Sequence, residues 1–237
     1  PNDERISVID SGKLGPADKR DLGANISSGD ILVFLDDDSY PEANILEIAN
    51  NYFTDTNIIA LGGPGITPPS DNFWQRVSGA VYLSKFTGGS PERYVPIGKS
   101  RAIDDWPSVN LMVRKDIFLS VGGFNCKYWP GEDTKLCLKL KNTGKKIIYA
   151  PDMIVWHHRR GEIMSHLKQV GAYGLHRGFF AKEHPETSFK LKYFLPSIFS
   201  LFFLISSFYL IFPELIHFIL IAGWTVYLAC LFIGGYQ

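Results

Sequence analysis

Residues 31–41 are Ile-Leu-Val-Phe-Leu-Asp-Asp-Asp-Ser-Tyr-Pro, and this stretch decides which fold we expect. Five consecutive apolar residues predict a strand that is buried on both faces, as in a parallel sheet covered by helices. Three carboxylates follow at its carboxyl end, where open α/β sheets bind ligands. Such a cluster needs a cationic partner, and hard divalent ions prefer oxygen ligands. The alternative is an Asp-rich turn before a helix that begins near Pro41.

The segments on either side alternate between strand and helix patterns. Alternating apolar residues at 5–10 predict a short strand, and Pro16 suits the first turn of a helix that extends to about Ser27. Together with residues 31–35 these segments form a βαβ unit. Further helices are predicted over residues 41–53, 73–86, 114–121 and 131–142, and further strands over residues 57–61, 109–113, 146–149 and 153–156. The sequence therefore predicts an α/β domain.

The composition argues against several classes of protein. The 24 Lys and Arg residues balance the 24 Asp and Glu residues, so we expect no nucleic-acid partner. Three cysteines without a C-x-x-C spacing argue against a disulfide framework or a zinc cluster and favour a reducing compartment. The chain begins without Met and without the apolar core of a signal peptide, so we expect a fragment that begins inside a domain.

The apolar residues concentrate after Tyr193. Residues 193–212 and 215–233 are uncharged runs of about 20 residues, which predict two transmembrane helices. Residues 162–182 place apolar side chains near one helical face, which fits either an amphipathic helix on the membrane surface or packing on the domain. Two such helices predict a multi-pass protein. Because Lys182, Lys190 and Lys192 precede the first run, the positive-inside rule predicts that the preceding domain is cytoplasmic.

Two more polar clusters can carry chemistry. Glu132 and Asp133 lie at the start of a predicted helix, where adjacent carboxylates can act as acid or base or can simply favour the helix dipole. The run His157-His-Arg-Arg follows a predicted strand. A His side chain can ligate a metal, and an Arg side chain can bind phosphate. The alternative is a basic patch beside the membrane that contacts lipid headgroups. Trp129 offers an apolar face for a sugar or lipid acceptor, or packs in the core.

Taken together, these motifs resemble family 2 glycosyltransferases. Residues 15–23 and 28–38 are similar to the family segment GPAxARNxG…ASGDxxxFxDxD. Residues 121–125, 131–136 and 148–157 are similar to the family segment VGGFDE…EDxxL…YxPxxxxxH. The motifs occur in the order that the family has.

The resemblance implies a GT-A-like, Rossmann-like fold with a mostly parallel sheet, and inverting transfer from a nucleotide-sugar donor. The family's first strands have no counterpart before Pro1, so we expect residues 1–160 to form a catalytic domain that is incomplete at its N-terminus. Residues 161–192 are then an interfacial helix and linker, and residues 193–237 a transmembrane hairpin. The expected acceptor is a membrane-proximal or lipid-linked saccharide.

The resemblance also assigns a donor and metal site. Asp38 and His157 are expected to hold Mg²⁺ or Mn²⁺ against the diphosphate of the donor. Asp36 is expected to face the ribose or base of the nucleotide. The predicted donor-binding residues are Asp36, Asp37, Arg20 and Arg159.

The catalytic residues follow from the same resemblance. Asp133 is expected to be the general base that takes the proton of the acceptor hydroxyl. Glu132 is expected to orient the acceptor or the base, and Trp129 is expected to contact the acceptor. Asp21 departs from the family, which usually has Asn there. No QxxRW pattern follows His157, so single-sugar transfer is favoured over a processive synthase. A non-catalytic membrane scaffold and a metal-dependent phosphohydrolase are two rival hypotheses for the function.

Overall fold

The computed structural model describes residues 3–84 and 90–236. The chain divides into two compact units. The first unit consists of Pro1–Ile66 and Pro96–His158, and the second of Thr67–Val95 and Arg159–Gln237. A segment between two strands of the first unit therefore belongs to the same unit as the C-terminal helices. The predicted division at residues 160 and 192 stays a prediction.

The predicted helices and the predicted strands after residue 30 are present, and three short strands that the sequence pattern does not predict lie at residues 39–41, 65–66 and 101–103. The strands are β1 (Ile31–Leu35), β2 (Ser39–Pro41), β3 (Ile58–Gly62), β4 (Gly65–Ile66), β5 (Arg101–Ile103), β6 (Asn110–Arg114), β7 (Lys146–Tyr149) and β8 (Val155–His157). The helices are α1 (Pro16–Ile26), α2 (Ile45–Phe53), α3 (Phe73–Leu83), α4 (Lys115–Ser120), α5 (Glu132–Lys141), α6 (Ile163–Glu183), α7 (Pro185–Ser188), α8 (Leu191–Ser206) and α9 (Glu214–Tyr236). Residues 85–86, the last two of the helix predicted over 73–86, lie outside the described residues.

The first unit contains a five-stranded sheet in the order β1-β6-β3-β7-β5 and a three-stranded sheet in the order β2-β8-β4. The expectation of a mostly parallel sheet is wrong, since only β3–β7 and β4–β8 are parallel among the described pairs. The strand β6 enters antiparallel between β1 and β3, and this order cannot be read from apolar runs alone. The α/β class itself agrees with the prediction.

The strand β1 is not buried on both faces. It lies at an edge of the described sheet and pairs with β6, from Ile31 opposite Arg114 to Leu35 opposite Asn110. Leu32 and Phe34 point into the core, whereas Val33 on the other face is 41% exposed. The alternation of side chains in a strand produces this pattern once one face lacks a covering layer. Residues 5–10, which the structure describes, form no strand, so the predicted βαβ unit lacks its first strand.

Two groups of buried side chains form the core of the first unit. One contains the rings of Phe34, Phe118 and Phe124, which pack in tilted and edge-on pairs with ring centres 5.1–5.6 Å apart. The other joins α2 to β3, β6 and the segment before β8 through residues such as Ile45 and Met153. Burying each large apolar side chain contributes about 1.5–3 kcal/mol, so these groups hold the two sheets and their helices together.

A glycine-rich crossover links the two sheets between β3 and β4. The Nε1 of Trp106 donates to the carbonyl of Gly63 at 3.0 Å, and the Nδ2 of buried Asn110 donates to the carbonyl of Met153 at 2.7 Å. A Cβ on Gly63 would overlap the Met153 carbonyl oxygen, so this position requires glycine. The crossover fixes β4 against β8, which ends in His157.

The second unit is helical. The helix α9 contains a 21-residue stretch, Glu214–Gly234, that is long and apolar enough to cross a membrane, and within the described residues it is the one helix that is. The helix α8 is apolar but has 16 residues, about 24 Å, which is shorter than the roughly 30 Å of a bilayer core. A 3-10 turn at Tyr209–Ile211 follows α8. The predicted transmembrane hairpin is therefore not confirmed.

Candidate functional site

The acidic triplet forms the turn between β1 and β2. The backbone amide and hydroxyl of Ser39 both donate to the carbonyl of Asp36, at 3.1 and 2.7 Å, and close the turn. In the antiparallel pair β2–β8, Ser39 lies opposite His157. The amide of His158 also donates to the carbonyl of Asp38 at 3.0 Å. This register brings the side chain of Asp38 to His157, with Oδ1 and Nε2 3.1 Å apart.

Asp36, Asp38 and His157 form a group that suits a divalent metal. One ligand atom from each side chain lies within 4.8 Å of the other two, and all three residues are partly buried. Two carboxylates and one imidazole are donors that suit Mg²⁺ and Mn²⁺, whereas a structural zinc site would use more Cys or His. The donor set therefore fits the predicted metal, with Asp36 as a third candidate ligand beside Asp38 and His157.

Arg20 on α1 connects this turn to the start of α5. Its Nη2 donates to Asp36 Oδ1 at 2.8 Å, and its Nη1 donates to Glu132 Oε1 at 2.6 Å. The Glu132 side chain is 5% exposed, and its other oxygen accepts the amide of Gly131 at 2.9 Å. Glu132 is thus buried and holds the guanidinium of Arg20, and its expected role in orienting the acceptor or the base stays a prediction. No local pattern in the sequence indicates this pairing, because the two residues are 112 positions apart.

Asp133 is the more accessible member of the Glu-Asp pair. It lies in the first turn of α5, and its Oδ1 accepts the amide of Thr134 at 2.8 Å. The helix dipole favours its negative charge there. Gly131, with φ of 132°, makes the turn into α5 in a conformation that other residues rarely adopt. Asp133 is partly buried and adjacent in sequence to the Glu132 that Arg20 holds beside Asp36.

The remaining predicted site residues lie in different surroundings. Asp37 is exposed in the turn, between the two candidate metal ligands. Trp129 is 64% exposed, so core packing does not explain it. Arg159 belongs to the second unit and is buried there. Its Nε donates to Thr67 Oγ1 at 3.1 Å, and its guanidinium carbon lies 5.0 Å from the centre of the Tyr94 ring. Their roles in donor and acceptor binding stay predictions.

The departure at Asp21 has a structural explanation. Its two carboxylate oxygens accept the amides of Phe124 and Asn125 at 2.8 and 3.0 Å, which an Asn side chain with one oxygen cannot do in the same way. Lys139 donates from the other side to the carbonyl of Gly123 at 2.8 Å. Burial, with the nearby Lys135, lowers the pKa of Lys139. Asp21 therefore fixes the loop before α5.

Comparisons with known proteins agree with this arrangement. A family model described as "Glycosyl transferase family group 2" matches residues 31–234, which include the acidic turn, α5 and most of α9. The match begins at the first residue of β1.

Two curated proteins illustrate the relationship. The pre-mycofactocin glycosyltransferase of Mycobacterium tuberculosis is 29% identical over 174 residues, which are 73% of this chain and 36% of that protein. The glucosyl-dolichyl phosphate glucuronosyltransferase of Haloferax volcanii is 24% identical over 149 residues, which are 58% of this chain and 46% of that protein. The chain therefore spans less than half of the length of either relative.

A solved structure shows the same fold. The mannosyltransferase PcManGT from Pyrobaculum calidifontis, in complex with GDP-Man and Mn²⁺, superposes with a TM-score of 0.56 at 15% identity. The similarity covers 92% of this chain and 61% of that one. The predicted GT-A type of α/β fold is thereby confirmed, with the mixed strand directions described above.

Proposed function

The chain belongs to glycosyl transferase family group 2, and from this premise we propose that it transfers a sugar from a nucleotide-sugar donor to an acceptor with inversion, in a reaction that depends on Mg²⁺ or Mn²⁺. The observation that carries the proposal is the cluster of Asp36, Asp38 and His157, whose ligand atoms lie within 4.8 Å of one another. Arg20 links this cluster to Glu132, next to the proposed base Asp133.

Each residue has a task that suits its position. When bound, the metal ion neutralises the charge that develops on the leaving nucleoside diphosphate. Asp133 accepts the proton of the acceptor hydroxyl while the bond from that oxygen to the anomeric carbon forms and the bond to the diphosphate breaks. Arg20 keeps Asp36 and Glu132 in a fixed arrangement and offsets their negative charges. Asp36 and Asp37 are proposed to contact the donor, and the expected donor contact of Arg159 stays a prediction from the sequence.

We also propose that the acceptor is a membrane-proximal or lipid-linked saccharide. The helix α9 supports this proposal, because it would hold the protein at a bilayer. The name of the Haloferax relative refers to a lipid-linked sugar, glucosyl-dolichyl phosphate. Exposed Trp129, before α5, offers a flat apolar surface for a sugar or lipid. Lys182 and Lys190 before α8, with Lys192 at its start, support a cytoplasmic catalytic face. A second membrane segment is proposed over residues 193–212, where α8, too short by itself to span the bilayer core, and the 3-10 turn after it are apolar.

The test is donor consumption by the full-length protein, with a panel of nucleotide sugars and Mn²⁺, measured with and without a lipid-linked acceptor. We expect one donor to be consumed only when acceptor is present, with equal amounts of nucleoside diphosphate and glycosylated product. Hydrolysis at the same rate without acceptor would instead identify a phosphohydrolase, which the same metal ligands could serve. A polymeric product would identify a processive synthase, and no consumption of any donor would favour a scaffold.

A further inference from the structure

The helix α3 has its apolar face turned outward. With 3.6 residues per turn, five of its exposed apolar side chains fall within about 120° of its circumference, and exposed Leu83 at its last residue lies outside that arc. Phe73 is 63% exposed and Trp74 is 50% exposed, with their rings edge to face at 5.3 Å. The members of this exposed stripe are Phe73, Trp74, Val77, Ala80 and Val81. A helix on the surface of a soluble domain normally shows the opposite arrangement.

The inward face of α3 is polar or small. Ser78 is buried and its hydroxyl lies 2.7 Å from Nδ1 of His166 on α6. The hydroxyl of Tyr82 donates to the Gln169 side chain on α6 at 3.2 Å. Gly79 packs so closely on Thr67 that a Cβ there would overlap the threonine hydroxyl. These polar groups of α3 are therefore satisfied by the unit's own residues.

The helix α6 also has a polar side toward its neighbouring helix and an apolar side that is exposed. His166 and Gln169 face α3, while Ile163 and Leu167 are 60% and 55% exposed on another side of the helix. Val170 continues the apolar side one turn later. Two neighbouring helices thus share hydrogen bonds between them and present apolar surfaces outward. That arrangement is typical of helices in lipid, where polar side chains join helices and apolar side chains face the acyl chains.

Water is a poor environment for such a surface. Transfer of large apolar side chains out of water is favourable in proportion to the apolar area removed, so the stripe has a strong tendency to be covered. Phe and Trp are side chains that lie well at the boundary between headgroups and acyl chains. Arg76 on α3 and Lys168 on α6 are exposed beside the two stripes, where they would meet anionic headgroups.

Length decides how the helices would meet the bilayer. The 11 residues of α3 are about 16 Å long, well short of the roughly 30 Å of a bilayer core, so α3 cannot span it. The same unit contains α9, which is long enough to cross the bilayer and would bring this unit to its surface. A lipid bilayer is therefore the occupant that the surroundings of the stripe favour over a protein partner.

We propose that α3 and the first half of α6 together form a membrane-binding surface whose outward stripes enter the interfacial layer of the bilayer. The helix α3 lies between strands of the first unit in the sequence but belongs to the second unit, so two segments far apart in the sequence would contribute to one lipid-binding surface. This proposal is independent of sugar transfer, and its test requires no substrate.

The test measures lipid contact residue by residue. The full chain with Cys230→Ala receives a spin label at Val77→Cys or Leu167→Cys, and is placed in nanodiscs of phosphatidylcholine and phosphatidylglycerol. The control is Leu46→Cys on α2, an apolar residue that is 64% exposed on the first unit. Buried Cys126 and Cys137 stay in place, and the Cys230→Ala protein alone gives the background labelling. Power saturation compares collisions with lipid-soluble oxygen and with a water-soluble nickel chelate.

We expect the ratio of oxygen to nickel collisions to be raised at residues 77 and 167 relative to residue 46. Equal ratios at all three positions would overturn the proposal, because the stripes would then face water. Labels at 77 and 167 that are immobilised and shielded from both reagents would also overturn it, since a protein partner or a second copy would then cover the stripes. Neither result bears on the proposed sugar transfer.

Discussion

Replacing Glu132 by Gln should destabilise the first unit more than replacing Asp36 by Asn. Both residues pair with Arg20, but the Glu132 side chain is 5% exposed and the Asp36 side chain 32%. Hydrogen bonds to charged groups are worth about 1.5–3 kcal/mol, and we expect that loss for Glu132→Gln because Gln keeps the shape but not the charge. The more exposed Asp36 pair should contribute about 1 kcal/mol or less.

The assay is thermal unfolding in detergent, followed by near-ultraviolet circular dichroism, with Mn²⁺ binding measured by electron paramagnetic resonance. For a chain of this size about 2–4 °C corresponds to 1 kcal/mol, so Glu132→Gln should lower Tm by about 3–12 °C. For Mn²⁺ affinity the order of the two variants should reverse: Asp36→Asn should lose more affinity than Glu132→Gln, because it replaces a carboxylate that is a proposed ligand. Equal changes in Tm, or an equal loss of Mn²⁺ affinity in Glu132→Gln, would refute the reasoning.

Three further predictions concern other parts of the chain. Asp133→Asn should reduce sugar transfer by about 10²–10⁴-fold with donor binding retained, as measured by turnover and by donor titration; unchanged turnover would remove Asp133 as the base. Gly63→Ala should lower the unfolding free energy by about 1–3 kcal/mol or more through overlap with the Met153 carbonyl, whereas Gly23→Ala on α1, where the added Cβ meets nothing within 4 Å and φ is not positive, should not lower it; equal losses in the two variants would contradict this explanation. Burial lowers the pKa of His166 from 6.5, so stability is full above pH 6.5 and falls as the pH drops toward the folded pKa; a pH series of Tm should lose this slope in His166→Gln.

Periodicity and turn residues are sufficient to predict most elements. The helices α1, α4, α5 and α6 begin within one or two residues of the predicted positions, because Pro16, the Glu-Asp pair and flanking glycines mark their ends. Strand direction and edge position are not predictable in this way, since an apolar run such as residues 31–35 fits a central or an edge strand equally well. The helix predicted over residues 193–212 is too long, because a 3-10 turn replaces its last part.

In the candidate site, too, the residue types are predictable from the sequence and the long-range pairings are not. The Asp-rich turn and the His after β8 are recognisable as metal ligands by residue type, and the register of β2 and β8 brings Asp38 and His157 together. The bridge from Arg20 to Glu132 depends on tertiary packing and leaves no local pattern. The apolar face of α3 is evident in its sequence, but the direction of that face relative to the unit is not.

Metal dependence at the cluster of Asp36, Asp38 and His157 can be tested by following sugar transfer by the full-length protein during a Mn²⁺ titration. The variant Asp38→Asn is compared with Asp116→Asn, which neutralises an exposed carboxylate on α4. We expect chelation to abolish transfer, and Asp38→Asn to raise the Mn²⁺ concentration for half-maximal rate by at least about tenfold, the loss typical of even outer-shell changes at metal sites. Transfer that persists under chelation, or an identical Mn²⁺ dependence in the two variants, would contradict a metal site at this cluster.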